Sequence, residues 1–430
     1  MTIKTLHITN SYHASSGGIR TTYQALLQAA NRLGRPVRLV VPGERDSIEE
    51  VGDFGRIYSI RAARLPVGDR RYRTLLPTYL FRLRRHPLWS IICDEKPDLI
   101  EVADKLCLPY LAGLLRKGWI PKVARPTLVG MSCERFDDTV ATYLSRHPFV
   151  GRLASWYLGQ VYIPQFDFHL SNSLYTAQEL KASTLPKHRR TVFVVPMGAD
   201  CKVFNPDRKS PELRQHLLAR TGDQTNSILL LYAGRLAREK GLGLLLETMK
   251  RLRRDLAKDY RLLVAGDGPL RSEFQAESDR QVPGRVVFLG HIESREELAD
   301  LFANCDLFLH PNAREPFGIA PLEAMAAGLP LVAPNRGGVT TYANSENAWL
   351  SEPHSSSFAF TIRSALADPK ILCRKTRKAR QTALEHSWEC VTGHLFELYD
   401  HLHFQQRIAQ EGSYLPSKLL RSPSGLPSSP

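Results

Sequence analysis

Two glutamates, Glu315 and Glu323, lie in the stretch REPFGIAPLEAMAAGLP (residues 314–330), with Gly318 and Pro321 between them. Ionised carboxylates accept hydrogen bonds, so a pair of them suits a ligand rich in hydroxyl groups. The end of the stretch predicts a short helix. Pro321 fits its first position, Gly328 the left-handed site just past its end, and Pro330 a stop. Glu323 then falls in the first turn, at the positive end of the helix dipole. A plain helix-start glutamate accounts for Glu323 alone. It leaves Glu315, in the preceding loop, and Gly318, which admits a ligand close to the backbone, unexplained. The N–H groups of Gly318, Ile319 and Ala320 can point at a phosphate. Carboxylates beside a phosphate demand cations, and AGRLAREKG (residues 233–241) supplies Arg235 just beyond a strand end and Lys240 where the next helix begins. A forked guanidinium and a compact ammonium together suit a diphosphate.

These residues need a scaffold that brings loops together. Short apolar runs alternate with helix-length segments: KTLHIT (4–9), PVRLVVPG (36–43), PDLIEVAD, PTLVGMS, FHLSNS and TVFVVPMG in the first half, then SILLLYAGRL, YRLLVAGDG, RVVFLG, DLFLHPN and LPLVAPN in the second. Such alternation implies an α/β chain with mainly parallel sheets. It restarts after a Pro/Gly-rich linker at 195–206, which predicts two doubly wound, Rossmann-like domains facing across a cleft. The expected boundaries are 1–198 and 205–380. Helices are expected over 21–32 and 243–256, and apolar spacing at Trp388, Val391, Leu395, Leu398 and Leu402 predicts a long helix at about 386–408. Residues 410–430, rich in Pro and Ser, read as a disordered tail.

Across 430 residues the net charge is +15, and residues 1–200 hold 28 Lys/Arg against 17 Asp/Glu. The densest basic run, DRRYRTLLPTYLFRLRRHPLW (69–89), mixes arginine with Leu, Tyr, Phe and Trp, as a segment lying on an anionic membrane surface would. A solvated surface helix is the plainer reading. No nucleic-acid motif accompanies the charge, so no nucleic-acid partner is expected. The seven cysteines are scattered without C-x-x-C spacing, which argues for reduced thiols rather than disulfides or a zinc site. No window suits a membrane span and the first residues lack a signal-peptide pattern, so a cytoplasmic location is expected, with peripheral attachment to the inner membrane face open.

SSGGIR (15–20), AGRLAREKG, VAGDGP (264–269) and LHPNAREPFGIAPLEAMAAGLPLVAPNRGG (309–338), in that order, resemble glycosyltransferase family four, the retaining enzymes of the GT-B fold that use nucleotide sugars. The resemblance implies a glycosyltransferase moving a hexosyl unit from a nucleotide diphosphate sugar to a hydroxyl acceptor, carbohydrate or lipid-linked, as in envelope polysaccharide synthesis. It implies no metal and no other cofactor, in keeping with the absence of a D-x-D motif. Residue by residue, Glu323 would hold the ribose, Glu315 the donor hexose, and the backbone of Phe317, Gly318, Ile319 and Ala320 the sugar and phosphate. Arg235 and Lys240 would neutralise the leaving diphosphate. Gly18 would let the first domain close over it, and the last helix would cross back onto that domain. The chain departs from the family twice. After the fourth strand of the first domain, VGMSCERFDD offers no histidine, and Glu134 or Asp137 is expected to line the acceptor side. Three residues beyond Gly338 the family often has glutamate, where this chain has Thr341. Two other readings stand beside this one: an epimerase or phosphorylase on the same fold, and a basic membrane- or polyanion-binding protein with a degenerate sugar site.

Overall fold

The computed structural model describes residues 2–13, 17–64, 73–80, 86–119, 123–143, 147–184, 191–222, 227–255 and 257–412. Residues 69–72 and 81–85 of the basic run, Ser15 and Ser16 of the glycine loop, and the tail beyond 412 lie outside them.

Among the described residues, ten strands precede the linker: β1 (Thr5–Thr9), β2 (Val37–Gly43), β3 (Ser47–Val51), β4 (Gly55–Arg61), β5 (Ala63–Arg64), β6 (Arg73–Thr74), β7 (Leu99–Ala103), β8 (Thr127–Ser132), β9 (Phe168–Ser171) and β10 (Val192–Val194). Eight form one sheet in the order β10-β9-β8-β7-β1-β2-β4-β3, and β5 pairs with β6. Only β3 runs antiparallel within the large sheet. The second half adds β11 (Ile228–Ala233), β12 (Tyr260–Ala265), β13 (Val286–Gly290), β14 (Leu307–Leu309), β15 (Leu331–Pro334) and β16 (Trp349–Ser351), all parallel, in the order β13-β12-β11-β14-β15-β16. The apolar runs are continuous because helices cover both faces, and Leu229 to Leu231 of β11 are wholly buried.

The first domain's helices are α1 (Gly18–Leu33), α2 (Pro87–Glu95), α3 (Pro109–Arg116), α4 (Phe136–Tyr143), α5 (Pro148–Tyr157) and α6 (Leu174–Ser183). The second domain carries α7 (Pro211–Arg220), α8 (Leu242–Leu252), α9 (Arg271–Gln281), α10 (Arg295–Ala303), α11 (Ile319–Ala326), α12 (Ser355–Ala365) and α13 (Pro369–Glu385), before α14 (Trp388–Gly412). Helix α1 buries Tyr23, Leu26, Leu27 and Ala30, one face of a 3.6-residue period. It starts three residues before the expected position, because the glycine loop itself forms the first turn. Helix α8 stops at Leu252, its last buried position, short of the expected end.

Helix α14 crosses back onto the first domain. Tyr399 donates to Glu101 of β7 at 2.5 Å, and Arg35 just beyond α1 pairs with Asp400 at 2.5 Å. Glu101 also receives Tyr23 at 3.0 Å and meets His7 Nδ1 at 3.1 Å. His7 is thus a wholly buried strut of this network. Burial raises the Glu101 carboxyl, but the His7 charge and its three hydrogen-bond partners outweigh that and leave it lowered.

In each sheet the strand order reverses beside the first strand of its domain, at β1 and at β11. Loops leaving the carboxyl ends of those strands diverge to opposite faces and open a crevice, the usual ligand position in such sheets. The glycine loop follows β1, and Gly234–Arg235 follows β11.

Candidate active site

Between β14 and α11 the chain builds a rigid loop. Asn312 Oδ1 accepts from Arg314 N at 3.0 Å, and its Nδ2 donates to Glu315 Oε2 at 2.9 Å. Lys240 Nζ lies 3.0 and 2.9 Å from the two oxygens of Glu315. A 3-10 turn, Arg238–Lys240, places the lysine and closes on Gly241 at φ 71°. A Cβ at Gly241 would stand 2.9 Å from the carbonyl oxygen of Pro311, so only glycine lets these two loops touch. Burial pushes the Glu315 carboxyl up, but the Lys240 charge and neighbouring groups outweigh it and bring it down to about 2. The same burial keeps His310, at the end of β14, neutral, with a pKa of about 4. Its Nε2 is buried with no hydrogen-bond partner among the described residues.

Behind the loop stands the double glycine. Gly338 N donates to the Glu315 carbonyl at 2.6 Å, and a Cβ at Gly338 would overlap the Pro316 carbonyl at 1.9 Å. Tyr342 donates to the Gly318 carbonyl at 2.5 Å and packs on Phe317, ring centroids 5.0 Å apart. The Phe317 side chain is therefore core, leaving its backbone to any ligand. Gly318 holds φ 91° as the residue before α11. The helix starts at Ile319, so Pro321 is its third residue rather than its first, still among the positions whose N–H has no intrahelical partner. Glu323 consequently lies in the second turn, not the first. It is 4% exposed and receives Arg295 at 2.7 Å. Burial dominates and its pKa is raised despite that arginine.

Helices α2, α5, α6, α7, α10 and α13 have their first N–H groups capped by side chains, such as Ser173 and Ser294. Helices α1 and α11 have no such cap, and neither do α3, α8, α9 and α12. The starts of α1 and α11 face each other: a Cβ on Gly18 would lie 3.2 Å from Ile319 Cδ1 and 3.8 Å from Met197 Sδ. Two positive dipole ends thus share one crevice. Arg235 is half-buried at the end of β11, and its carbonyl accepts from Tyr232 at 3.0 Å. Burial first, then the carboxylates of Glu315 and Glu239, raise the Tyr232 hydroxyl.

On the first-domain side the two acceptor candidates separate. Glu134 is exposed beyond β8, while Asp137 is clamped by Arg135 at 2.5 Å. The guanidinium of Arg135 sits 4.5 Å over the Tyr175 ring. The neighbour Asp138 instead reaches across to Arg314, at 3.6 Å. Thr341 also joins the domains, its Oγ1 accepting from Leu174 N at 3.2 Å. Lys105, beyond the end of β7, went unnoticed in the sequence; buried, it donates to Glu179 at 3.0 Å and to the Glu134 carbonyl. Its position just after a strand run, in VADKLCLP, was the available signal.

Two Rossmann-like domains that hold a lysine–carboxylate pair and opposed helix starts in one crevice define the GT-B class. Residues 214–383 match the family described as Glycosyl transferases group 1, and residues 17–197 match the Glycosyl transferase 4-like domain. The chain belongs to this family and is a glycosyltransferase. It is 26% identical over 388 residues to a GDP-mannose-dependent alpha-(1-6)-phosphatidylinositol dimannoside mannosyltransferase of Mycobacterium tuberculosis, covering 90% of this chain and 93% of that one. A GDP-mannose-dependent alpha-mannosyltransferase of Corynebacterium glutamicum is 26% identical over 77% of this chain and 72% of its own length. Among solved structures, sucrose-phosphate synthase from Thermosynechococcus elongatus superposes with TM-score 0.73 at 20% identity, over 94% of this chain and all of that one. An Anabaena protein in complex with UDP and glucose gives 0.65 at 18%, over 96% and 100%.

Proposed function

We propose that this enzyme transfers a mannosyl unit from GDP-mannose to a hydroxyl of a lipid-linked acceptor, with retention at the anomeric carbon and without a divalent metal. The observation that carries the reading is the Lys240–Glu315 pair, 2.9 Å apart, beside the facing starts of α1 and α11. A diphosphate leaves readily only when its growing charge is met, and preorganised donors meet it best in a water-poor crevice. Lys240, Arg235 and the N–H groups at Gly18, Ile319 and Ala320 take that role. Glu315, ionised at neutral pH, accepts from sugar hydroxyls and keeps Lys240 extended toward the phosphates. Glu323 and the backbone around it take the ribose.

In the transfer, the acceptor oxygen forms its bond to the anomeric carbon on the face that the diphosphate is vacating. The carbon–oxygen bond to phosphate breaks, its electron pair stays with the diphosphate, and the acceptor proton passes to a phosphate oxygen. No protein base is required. The donor assignment draws on two relatives that are both named as GDP-mannose-dependent and align over most of their length. The lipid acceptor draws on the first of them, whose name specifies a phosphatidylinositol dimannoside.

The test supplies GDP-mannose, UDP-glucose and ADP-glucose in turn, with and without phosphatidylinositol mannosides, in the presence of EDTA. Release of GDP that rises with the lipid, and an α-configured product by NMR, is the expected result. Turnover with another donor alone would replace the donor assignment, a β product would refute retention, and loss of rate in EDTA would refute the metal-free reading.

A further inference from the structure

Two residues of the second domain, Arg314 and Thr341, reach across to the first, and neither is among the groups assigned to the donor. Arg314 directly precedes Glu315, and its Nε lies 3.6 Å from Asp138 Oδ1 on α4. Thr341 stands three residues beyond Gly338, and its Oγ1 accepts from the N–H of Leu174, the first residue of α6, at 3.2 Å.

Both contacts land on one braced part of the first domain. Asp138 receives the hydroxyl of Tyr175, the residue after Leu174. Arg135 fixes that tyrosine, with its guanidinium 4.5 Å over the ring and its Nη1 donating to the Tyr175 carbonyl at 3.4 Å. Arg135 also holds Asp137 at 2.5 Å and lies 3.8 Å from Asp138. Behind it, Glu179 of α6 accepts from Asp137 N at 2.8 Å and from the buried Lys105 at 3.0 Å. Asp138 is therefore placed by α6 and by the end of β7, and not by solvent.

On the second domain both contacts start from Glu315. Asn312 closes the loop that carries Arg314, bonding the Arg314 N–H at 3.0 Å and the Glu315 carboxylate at 2.9 Å. The Glu315 carbonyl receives Gly338 N at 2.6 Å. Gly337, at φ 85°, lies so close that a Cβ would stand 2.9 Å from the Ala313 carbonyl oxygen. The loop before α11 and the turn that carries Thr341 are thus locked together, with Glu315 at the join.

Stability does not account for this arrangement. The Arg314 side chain is 53% exposed and that of Asp138 24%, and an ion pair so open to water adds little to folding. Its consequence is geometric, because a displacement of about 1 Å at a reacting centre is enough to cost on the order of 100-fold in rate. We propose that Arg314, Asp138 and Thr341 are positioning residues for the transfer, a two-point clasp that sets the donor held by Glu315 against the acceptor side of the crevice. They touch no reacting atom and act through Glu315. The proposal rests on the reading of Glu315 as a donor-holding group and is indifferent to which sugar nucleotide it holds. It also gives a use to threonine at position 341, as a neutral acceptor for one helix N–H.

The test combines steady-state kinetics of the full chain, donor and acceptor varied separately, with hydrogen exchange. Arg314→Met, Asp138→Asn and Thr341→Val should each lower kcat about five- to tenfold. KM for the donor and affinity for GDP should change less than about twofold, since the donor groups of the second domain are untouched. Arg314→Met combined with Asp138→Asn should cost no more than either alone, as expected of a direct pair. Thr341→Ser, which keeps the hydroxyl, should keep the wild-type rate. In Thr341→Val the Leu174 amide should exchange about tenfold faster than in wild type. Melting temperatures should stay within a few degrees throughout. Wild-type kcat in Arg314→Met and Thr341→Val, or additive losses in the double variant, would overturn the proposal. So would a loss confined to donor KM, or Leu174 exchange unaltered by Thr341→Val. A wild type that turns over only with another donor would replace the donor assignment, and the same ratios would then be measured with that donor, so the two readings fail separately.

Discussion

Lys240 and Glu315 are mutually dependent, and separating them tells catalysis from stability. Lys240→Met leaves a carboxylate 13% exposed without its cation, which should cost roughly 1–3 kcal/mol of folding stability. It should also lower kcat by about 10²–10³, the usual effect of losing one preorganised charge partner. Adding Glu315→Gln should restore most of the stability and none of the turnover; thermal unfolding and steady-state rates read the two separately. His310 offers a second residue-scale prediction. Its pKa falls from an ordinary value near 6.5 to about 4 on folding. The unfolded chain therefore binds the proton more readily, and stability drops as pH falls through that window. Compared with His310→Gln, wild type should lose on the order of 2 kcal/mol more between pH 7 and pH 5, measured by denaturant unfolding at each pH. A pH-independent difference would mean that His310 does not titrate there. Arg235, Lys240, Glu315 and Glu323 were legible in the sequence because charge, glycine and proline punctuate strand ends at fixed offsets. Partners drawn from elsewhere in the chain were not. Arg295 on Glu323 and Asp138 opposite Arg314 depend on how elements pack, and no local spacing encodes that.

At the scale of elements, the opposed starts of α1 and α11 carry the proposed phosphate chemistry, and Gly18 keeps them close. Gly18→Val would push a methyl-bearing carbon into Ile319, where only 3.2 Å is free. The φ of Gly18 is not in the left-handed region, so the change should leave the melting temperature within a few degrees. Its expected effect is at least a tenfold rise in KM for the donor, and Ile319→Ala on the same chain should recover much of it. Failure of that rescue would mean that the two helix starts do not jointly bind the donor. The parallel strands were readable here because burial on both faces makes their sequences continuously apolar. The hairpin of β3 and β4 was not: SIEEV alternates weakly and is exposed at four of its five positions. The turn at Gly52, φ 64°, was its available mark. Helix starts were misjudged by two or three residues at α1 and α11, since the glycines taken as loop became or bordered the first turn.

Across the whole molecule, a crevice built from two domains depends on their meeting in one register. The chain passes between them twice, at residues 195–200 and 386–388, and the crossings are tied to each other. Ala199 N donates to the His386 carbonyl at 3.0 Å, and Trp388 N donates to the Ala199 carbonyl at 3.1 Å. Gly198 lies flat under Trp388, where a Cβ would stand 2.8 Å from the indole ring and 3.0 Å from the Trp388 Cα. Hinges are a few loop residues between rigid bodies, so closure of this crevice is expected to turn on these paired crossings. Across the crevice, Arg314 meets Asp138 and Thr341 meets Leu174, and these contacts are expected to depend on the register that the crossings set. Gly198→Val should wedge the crossings apart while leaving both cores intact. The expected result is near-normal helix and strand content by circular dichroism. In small-angle scattering, the radius of gyration should exceed wild type and fail to contract when GDP is added, and turnover should fall at least tenfold. Wild-type compaction with GDP, alongside wild-type rates, would show that the paired crossings do not govern closure.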